Sequence, residues 1–376
     1  MRVSALPETA GASRYHAAVT AALTRAADVC AFLIGIMALA ELARHEELFD
    51  WLAGRALQAA RGSRRRLFTL VYLVGVAVTV LLSNDTAAVV LTPAIAAALR
   101  RTDAPPLPYL FACAFVANAA SYVLPISNPA NLVVFGRALP PLHMWLSAFG
   151  ISALAAVLCT YAGLRIAFRT DLRGSYTNAL TLTRPAPAAS LSAAAIALSA
   201  LGLVIASALH LDLGIAAVAG AIFSLAVVTV RERGAAAFVA RHIAWQVVPL
   251  VVGLFVLVAL LERSGLLNAV HALLLHGNRF EVALIVTAAS NAVNNLPVAL
   301  VSGFALQSAA IAPVIAHATL VAVNLGPNVS VTGSLATMLW LAALRRDGYR
   351  VGFWTFLRIG SALTIPTLLV AVWLTR

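Results

Sequence analysis

Long apolar runs, separated by arginine-rich segments, set the pattern of this chain. Residues 29–40 open a first apolar helix, expected to end at Glu41. Residues 44–66 mix arginines with Trp51, Leu52 and Leu57, an amphipathic stretch expected to lie at a membrane interface. From Leu67 to Leu99 the one charged residue is Asp85, and from Ala104 to Gly136 there is none. Residues 138–164, 185–211 and 213–230 are also free of charge. A further helix, 242–261, ends at Glu262; Val282 to Leu344 carry no charge, and the last helix, 351–375, holds only Arg358. A membrane-spanning helix needs about 20 apolar residues, so several runs are too long for one. Each long run is also broken by a polar cluster. These are Ser83-Asn84-Asp85-Thr86, Ser127-Asn128-Pro129-Ala130-Asn131, Asn291 with Asn294-Asn295-Leu296-Pro297, and Asn324 to Ser334.

The pattern occurs twice. Cys30 to Glu41 matches Val247 to Glu262, Asn84-Asp85 matches Asn294-Asn295, and Asn118 matches Asn324. Nine residues beyond the last two asparagines stand Ser127-Asn128 and Gly333-Ser334. Each copy reads as helix, interfacial segment, re-entrant hairpin, broken helix, helix. The predicted organisation is an N-terminal extension (1–27) and a first repeat (28–168: hairpin 67–100, broken helix 108–136, helix 143–166). An extra helix pair (188–230) then precedes a second repeat (242–376: hairpin 279–309, broken helix 313–344, helix 351–374). The expected fold is an all-α polytopic membrane protein with two inverted repeats, about eight crossings and two hairpins. Inverted repeats with broken helices meeting at mid-membrane mark secondary transporters.

Composition supports the class. Hydrophobic residues make up 62% and charged residues 11%, too few to solvate a soluble protein of 376 residues. The mean hydropathy is +0.93. The net charge of +12 comes from arginine alone, with no lysine, and no basic face suggests nucleic acid. Under the proposed topology 18 arginines fall on one side and 7 on the other. The richer side is expected to be cytoplasmic, with both termini outside, in a cell (inner) membrane. The residues Cys30, Cys113 and Cys159 lie in apolar runs, so no metal site or disulfide framework is expected. No nucleotide-binding loop, nucleophile elbow or other catalytic constellation occurs. No cofactor and no enzyme activity are expected, and coupling to ATP would require a separate ATPase subunit.

Candidate chemistry sits in the breaks. Eight of the twelve asparagines fall in the four clusters, and a ninth, Asn118, lies just before the second. Buried amides in lipid are costly unless satisfied. The expected substrate-binding residues are Asn84, Thr86, Asn118, Ser127, Asn128, Asn131, Asn291, Asn294, Asn295, Asn324, Thr332, Gly333 and Ser334. The alternative is that these side chains cap turns and half-helices. Asp85 is the expected proton-coupling residue, because burial disfavours the charged form of a carboxyl; its symmetry mate, Asn295, cannot titrate. Asp85 as a helix cap is the competing reading. Glu262 fits the interface better than the site, and His317 reads as a packed histidine.

Leu325-Gly326-Pro327, with Thr332-Gly333-Ser334-Leu335-Ala336-Thr337-Met338-Leu339-Trp340-Leu341, resembles the C-terminal signature of the arsenical pump membrane proteins, the arsenite efflux family. Asn84-Asp85 with Leu91-Thr92-Pro93, and Asn294-Asn295-Leu296-Pro297, are similar to that family's two hairpin motifs. The resemblance spans about residues 28–376. It implies export of arsenite or antimonite in exchange for protons, arsenic resistance, and a metalloid and protons as partners beside the bilayer. The family often has Asp at the position of Asn324 and a basic residue at Asn328, so coupling here rests more on Asp85. A sodium- or proton-coupled dicarboxylate-type carrier stays open, as do a channel and a non-transporting scaffold. A homodimer also stays open.

Overall fold

The computed structural model describes residues 8–177, 187–261, 265–307 and 311–376. These residues form helices and turns, with one isolated bridge between Ser63 and Ser175. The first helix, α1, runs from Glu8 to His45. It therefore starts well before the expected residue 29 and continues past Glu41. The early segment is alanine-rich and favours helix, and Glu41 accepts from Arg44 Nε at 2.7 Å, one turn on, which supports the last turn. The amphipathic α2 (Leu48–Ala59) follows, then α3 (Arg64–Leu81), whose N-terminus is capped by Ser63. A two-residue break leads into α4 (Asn84–Leu99), which opens with a single helical turn and passes through a π turn at Ala87–Leu91.

Next come α5 (Leu107–Ala119), a short 3-10 turn at Pro125–Ser127, α6 (Pro129–Phe135) and the long α7 (Leu142–Ala167). Four helices follow: α8 (Pro187–Ala208), α9 (Leu213–Thr229), α10 (Ala235–His242) and α11 (Val247–Leu261). The remaining elements are α12 (Leu266–His276), α13 (Arg279–Val293), α14 (Asn295–Gln307), α15 (Pro313–Leu325), α16 (Leu335–Arg346) and α17 (Phe353–Trp373). Glu262 lies outside the described residues.

The chain is an all-α polytopic membrane protein. Four described segments are long and apolar enough to cross a bilayer: Ala26–His45, Leu142–Ala167, Ser190–Ala208 and Phe353–Trp373. The pair α10 and α11, bent by 41°, adds a fifth if it counts as one span. The other crossings expected from the sequence fall on shorter apolar helices such as Leu107–Ala119 and Leu213–Thr229. Leu146, Ile151, Leu154 and Leu158 of α7 are exposed, as are Leu198, Leu201 and Ile205 of α8. Such apolar surfaces suit lipid, not water.

Packing divides the helices into two groups. In one, α1 lies against α9 and α11, and α8 against α9. In the other, α3 packs on α5, α13 on α15, and α7 on α17. The short helices cross over. The arm α4 packs on α16, and the arm α14 packs on α6. Gly303 of α14 makes the second contact possible, because a Cβ there would stand 2.6 Å from the Val133 carbonyl oxygen.

Candidate functional site

Helix α5 stops at Ala119 and α6 restarts at Pro129; α15 stops at Leu325 and α16 restarts after Ser334. Each break leaves backbone groups without helical partners. The asparagines supply them. Asn131 donates to the carbonyls of Ser121, Leu124 and Pro125 at 3.0, 3.3 and 3.2 Å, which fixes the first break. Asn128 caps α6 through the Ala130 N–H at 2.9 Å, and Ser334 caps α16 through the Thr337 N–H at 3.1 Å.

The two breaks are joined through buried side chains. Asn324 Oδ1 accepts from Ser121 Oγ and from Asn128 Nδ2, both at 2.7 Å. Asn324 Nδ2 donates to Asn131 Oδ1 and to the Leu320 carbonyl, both at 2.9 Å. Asn118 Nδ2 donates to Asn328 Oδ1 at 2.9 Å and to Thr337 Oγ1 at 3.4 Å. Thr337 Oγ1 in turn lies 2.8 Å from Ser334 Oγ. Each pre-break asparagine thus reaches the cap region of the other broken helix. The residues Asn118, Asn131, Asn324 and Asn328 are fully buried.

The arms α13 and α14 meet the second break. Asn291 Nδ2 donates to the Thr287 and Gly326 carbonyls, and its Oδ1 accepts from the N–H and Oγ of Ser330 at 2.9 and 2.7 Å. Thr332 Oγ1 donates to the Asn291 carbonyl at 2.8 Å, and the Asn295 N–H donates to the Gly333 carbonyl at 2.9 Å. A Cβ on Gly333 would stand 2.5 Å from the Pro327 oxygen and 2.7 Å from Asn291 Oδ1, so this close approach requires glycine. Asn294, at φ 82°, makes the turn into α14 and accepts from the Leu296 N–H. Between α3 and α4, Ser83 caps the turn Asn84–Thr86, and Ser127 Oγ donates to the Val80 carbonyl at 3.1 Å.

Not every amide atom finds a partner. The NH2 groups of Asn118, Asn128, Asn131, Asn291, Asn324 and Asn328 all donate within the protein. Asn84 Oδ1 and Asn118 Oδ1 are buried acceptors with no partner among the described residues. The orientation of Asn118 follows from its neighbours. Asn328 must turn its NH2 to the Phe115 carbonyl, at 2.9 Å, so its oxygen faces Asn118 and takes that residue's NH2. Asp85, half-buried in the first turn of α4, has no hydrogen bond or ion pair among the described residues. That turn packs on α5 and α16.

Asn118, Asn128, Asn131, Asn324 and Ser334 therefore come together as an interlocked network more than as an open bowl, with Asn291, Asn295, Thr332 and Gly333 at the second break, whereas the side chains of Asn84, Thr86 and Asn294 make no hydrogen bond to it. A cavity of about 270 Å³ lies elsewhere, lined in part by Asp28, Ser207, His210, Asp212 and Phe304, and by none of the expected site residues. The residues missed from sequence are Ser121, Ser330 and Thr337. Ser121 and Thr337 sit three positions after Asn118 and Ser334, one helical turn on, which was the available signal.

Residues 9–343 match the citrate transporter family. The chain belongs to that family. This transporter is also similar to the arsenical pump membrane protein of Escherichia coli K12, at 29% identity over 369 residues, 92% of this chain and 85% of the relative. The arsenical pump membrane protein of Yersinia enterocolitica is 28% identical over the same shares. An uncharacterized transporter of Mycobacterium tuberculosis H37Rv is 26% identical over 92% of this chain and 84% of its own. Among solved structures, the Alcanivorax borkumensis YdaH transporter has the same fold at a TM-score of 0.59 and 15% identity, covering 97% of this chain and 88% of that one. The resemblance seen in the short motifs thus extends over nearly the whole chain, and the protein is a multi-pass membrane transporter.

Proposed function

We propose that this transporter is a secondary antiporter that exports arsenite or antimonite in exchange for protons. The observation that carries the reading is a set of acceptors left without partners. The amide donors of Asn118, Asn128, Asn131, Asn291, Asn324 and Asn328 are spent within the protein, while Asn84 Oδ1, Asn118 Oδ1 and the Asp85 carboxylate remain as acceptors; the buried Thr287 and Ser290 hydroxyls are also without partners. Arsenous acid is a small neutral triol near pH 7, and its hydroxyls donate. A carboxylate substrate only accepts, and an acidic Asp85 would repel it. The relatives named arsenical pumps support the same choice. In this reading Asp85 carries the coupling proton, the two copies are inverted repeats with hairpins at 67–100 and 279–309, and the termini lie outside the cytoplasm in an inner membrane.

The family's name favours a second reading, a citrate-type anion carrier. Inverted vesicles separate the two. Radiolabelled arsenite should accumulate when a pH gradient is imposed and stay low when the gradient is collapsed. Gradient-driven citrate movement without arsenite movement would overturn the proposal.

A further inference from the structure

Away from the amide network, His45 at the end of α1 has a carboxylate against each ring nitrogen. Its Nδ1 lies 3.3 Å from Glu46 Oε1, and its Nε2 lies 3.3 Å from Glu232 Oε1. One ligand atom from each of the three residues falls within 4.8 Å of the other two. The side chains of His45 and Glu46 are 13% and 12% exposed, whereas Glu232 is 59% exposed and leaves the group open to solvent. The residues come from distant segments: the turn after α1 and the loop between α9 and α10. Phe238 of α10 packs edge-on against the His45 ring, 4.6 Å between centroids, and limits its rotation. One neighbouring cation, Arg44, is held by Glu41 and lies over the Phe238 ring; Arg231 and Arg233 flank Glu232 in the chain.

A neutral imidazole has one N–H. With that proton on Nδ1, facing Glu46, Nε2 carries a lone pair and lies 3.3 Å from an oxygen of Glu232, which is also an acceptor. Such a pair needs a positive centre between its members. A separation of 3.3 Å is the edge of a tetrahedron whose ligands stand about 2.0 Å from the centre, the usual zinc–nitrogen and zinc–oxygen length. A carboxylate on the second ring nitrogen is the arrangement that orients a metal-binding histidine and raises its basicity. We propose that His45 Nε2 and Glu232, with Glu46 orienting the imidazole, form a site for a borderline divalent cation such as Zn2+ or Co2+, water completing the coordination. Binding there fastens the end of α1 to the α9–α10 loop. The site is independent of the substrate reading.

The test uses the full chain, purified in detergent and stripped with a chelator. Titration with Co2+ alone should saturate at one equivalent, give a visible ligand-field band and raise the thermal midpoint. His45→Ala and Glu232→Gln should each remove the band, and Glu46→Gln should weaken binding by about tenfold. Glu232 is exposed, so its variant tests the site even if His45→Ala folds poorly. Absence of saturable binding, or a band unchanged in Glu232→Gln, would overturn the proposal. So would a thermal midpoint that rises on acidification and ignores Co2+, which would mean that a doubly protonated imidazole bridges the two carboxylates.

Discussion

Asn324 and Asn84 are both buried asparagines, yet their side chains do different work. Asn324 accepts two hydrogen bonds and donates two, and its loss would leave Asn128 Nδ2 and Asn131 Oδ1 short of partners. An unsatisfied buried polar group costs about 1–3 kcal/mol. Asn324→Ala should therefore lower the thermal midpoint of the detergent-solubilised protein and reduce its yield. Asn84 Oδ1 has no partner to lose. Asn84→Ala should keep the midpoint within the scatter of the wild type while arsenite flux falls at least about tenfold, the equivalent of 1.4 kcal/mol. Equal loss of stability in both variants would show that Asn84 is structural. Asp85→Asn keeps the shape and removes the titration. It is expected to fold, to bind substrate weakly and to lose the response of efflux to a pH gradient; an unchanged response, measured in inverted vesicles, would assign Asp85 to capping alone.

At the scale of elements, the broken helices depend on small residues at the crossing points. Gly333 lies where the second break meets Asn291 and Pro327. Gly333→Ala is expected to push these apart, lowering the thermal midpoint and broadening the size-exclusion peak. A second device lies beyond the membrane-spanning helices. The segment after α7 folds back, with the Tyr176 N–H on the Gly62 carbonyl at 2.8 Å and the Tyr176 hydroxyl on the Leu57 carbonyl at 2.8 Å. Asp103 accepts from the N–H and Oγ1 of Thr177, and the backbone hydrogen bond holds its carboxyl below the usual range. A lowered pKa means that the contact is complete at neutral pH and is lost as pH falls through the lowered value. Hydrogen exchange at the Thr177 amide should therefore accelerate, beyond its intrinsic pH dependence, when the protein is acidified.

For the whole molecule, the arginine bias and the two hairpins make a topological claim that labelling can check. Single cysteines placed at 64–66 and at 100–101, in a background with Cys30, Cys113 and Cys159 replaced, should react with an impermeant reagent from the same side of the membrane. Reaction from opposite sides would make 67–100 a crossing and would break the inverted-repeat reading. The crossed packing of α4 on α16 and of α14 on α6 means that a change in α4 or α14 reaches a broken helix distant in sequence through a direct contact.

Much of this was written along the chain. An apolar composition with few charges dictates a membrane protein, because backbone groups in lipid must be satisfied within helices. Runs too long for one helix, broken by Ser-Asn-Asp, Ser-Asn-Pro and Asn-Asn-Leu-Pro, locate the breaks, since these residues end helices or cap new ones. The sequence also marked Asn118, Asn128, Asn131 and Asn324 as belonging together. It could not say which atom of each faces which partner. Those pairings join residues some 190 to 220 positions apart, as Asn324 with Asn131 and Asn118 with Thr337, and no local period encodes them. Only the folded arrangement consumes the amide donors and leaves Asn84 Oδ1 and Asn118 Oδ1 over. The start of α1 at Glu8 and the meeting of His45 with Glu232 were likewise settled in three dimensions, because helix propagation and the docking of distant loops depend on neighbours that the linear order does not adjoin.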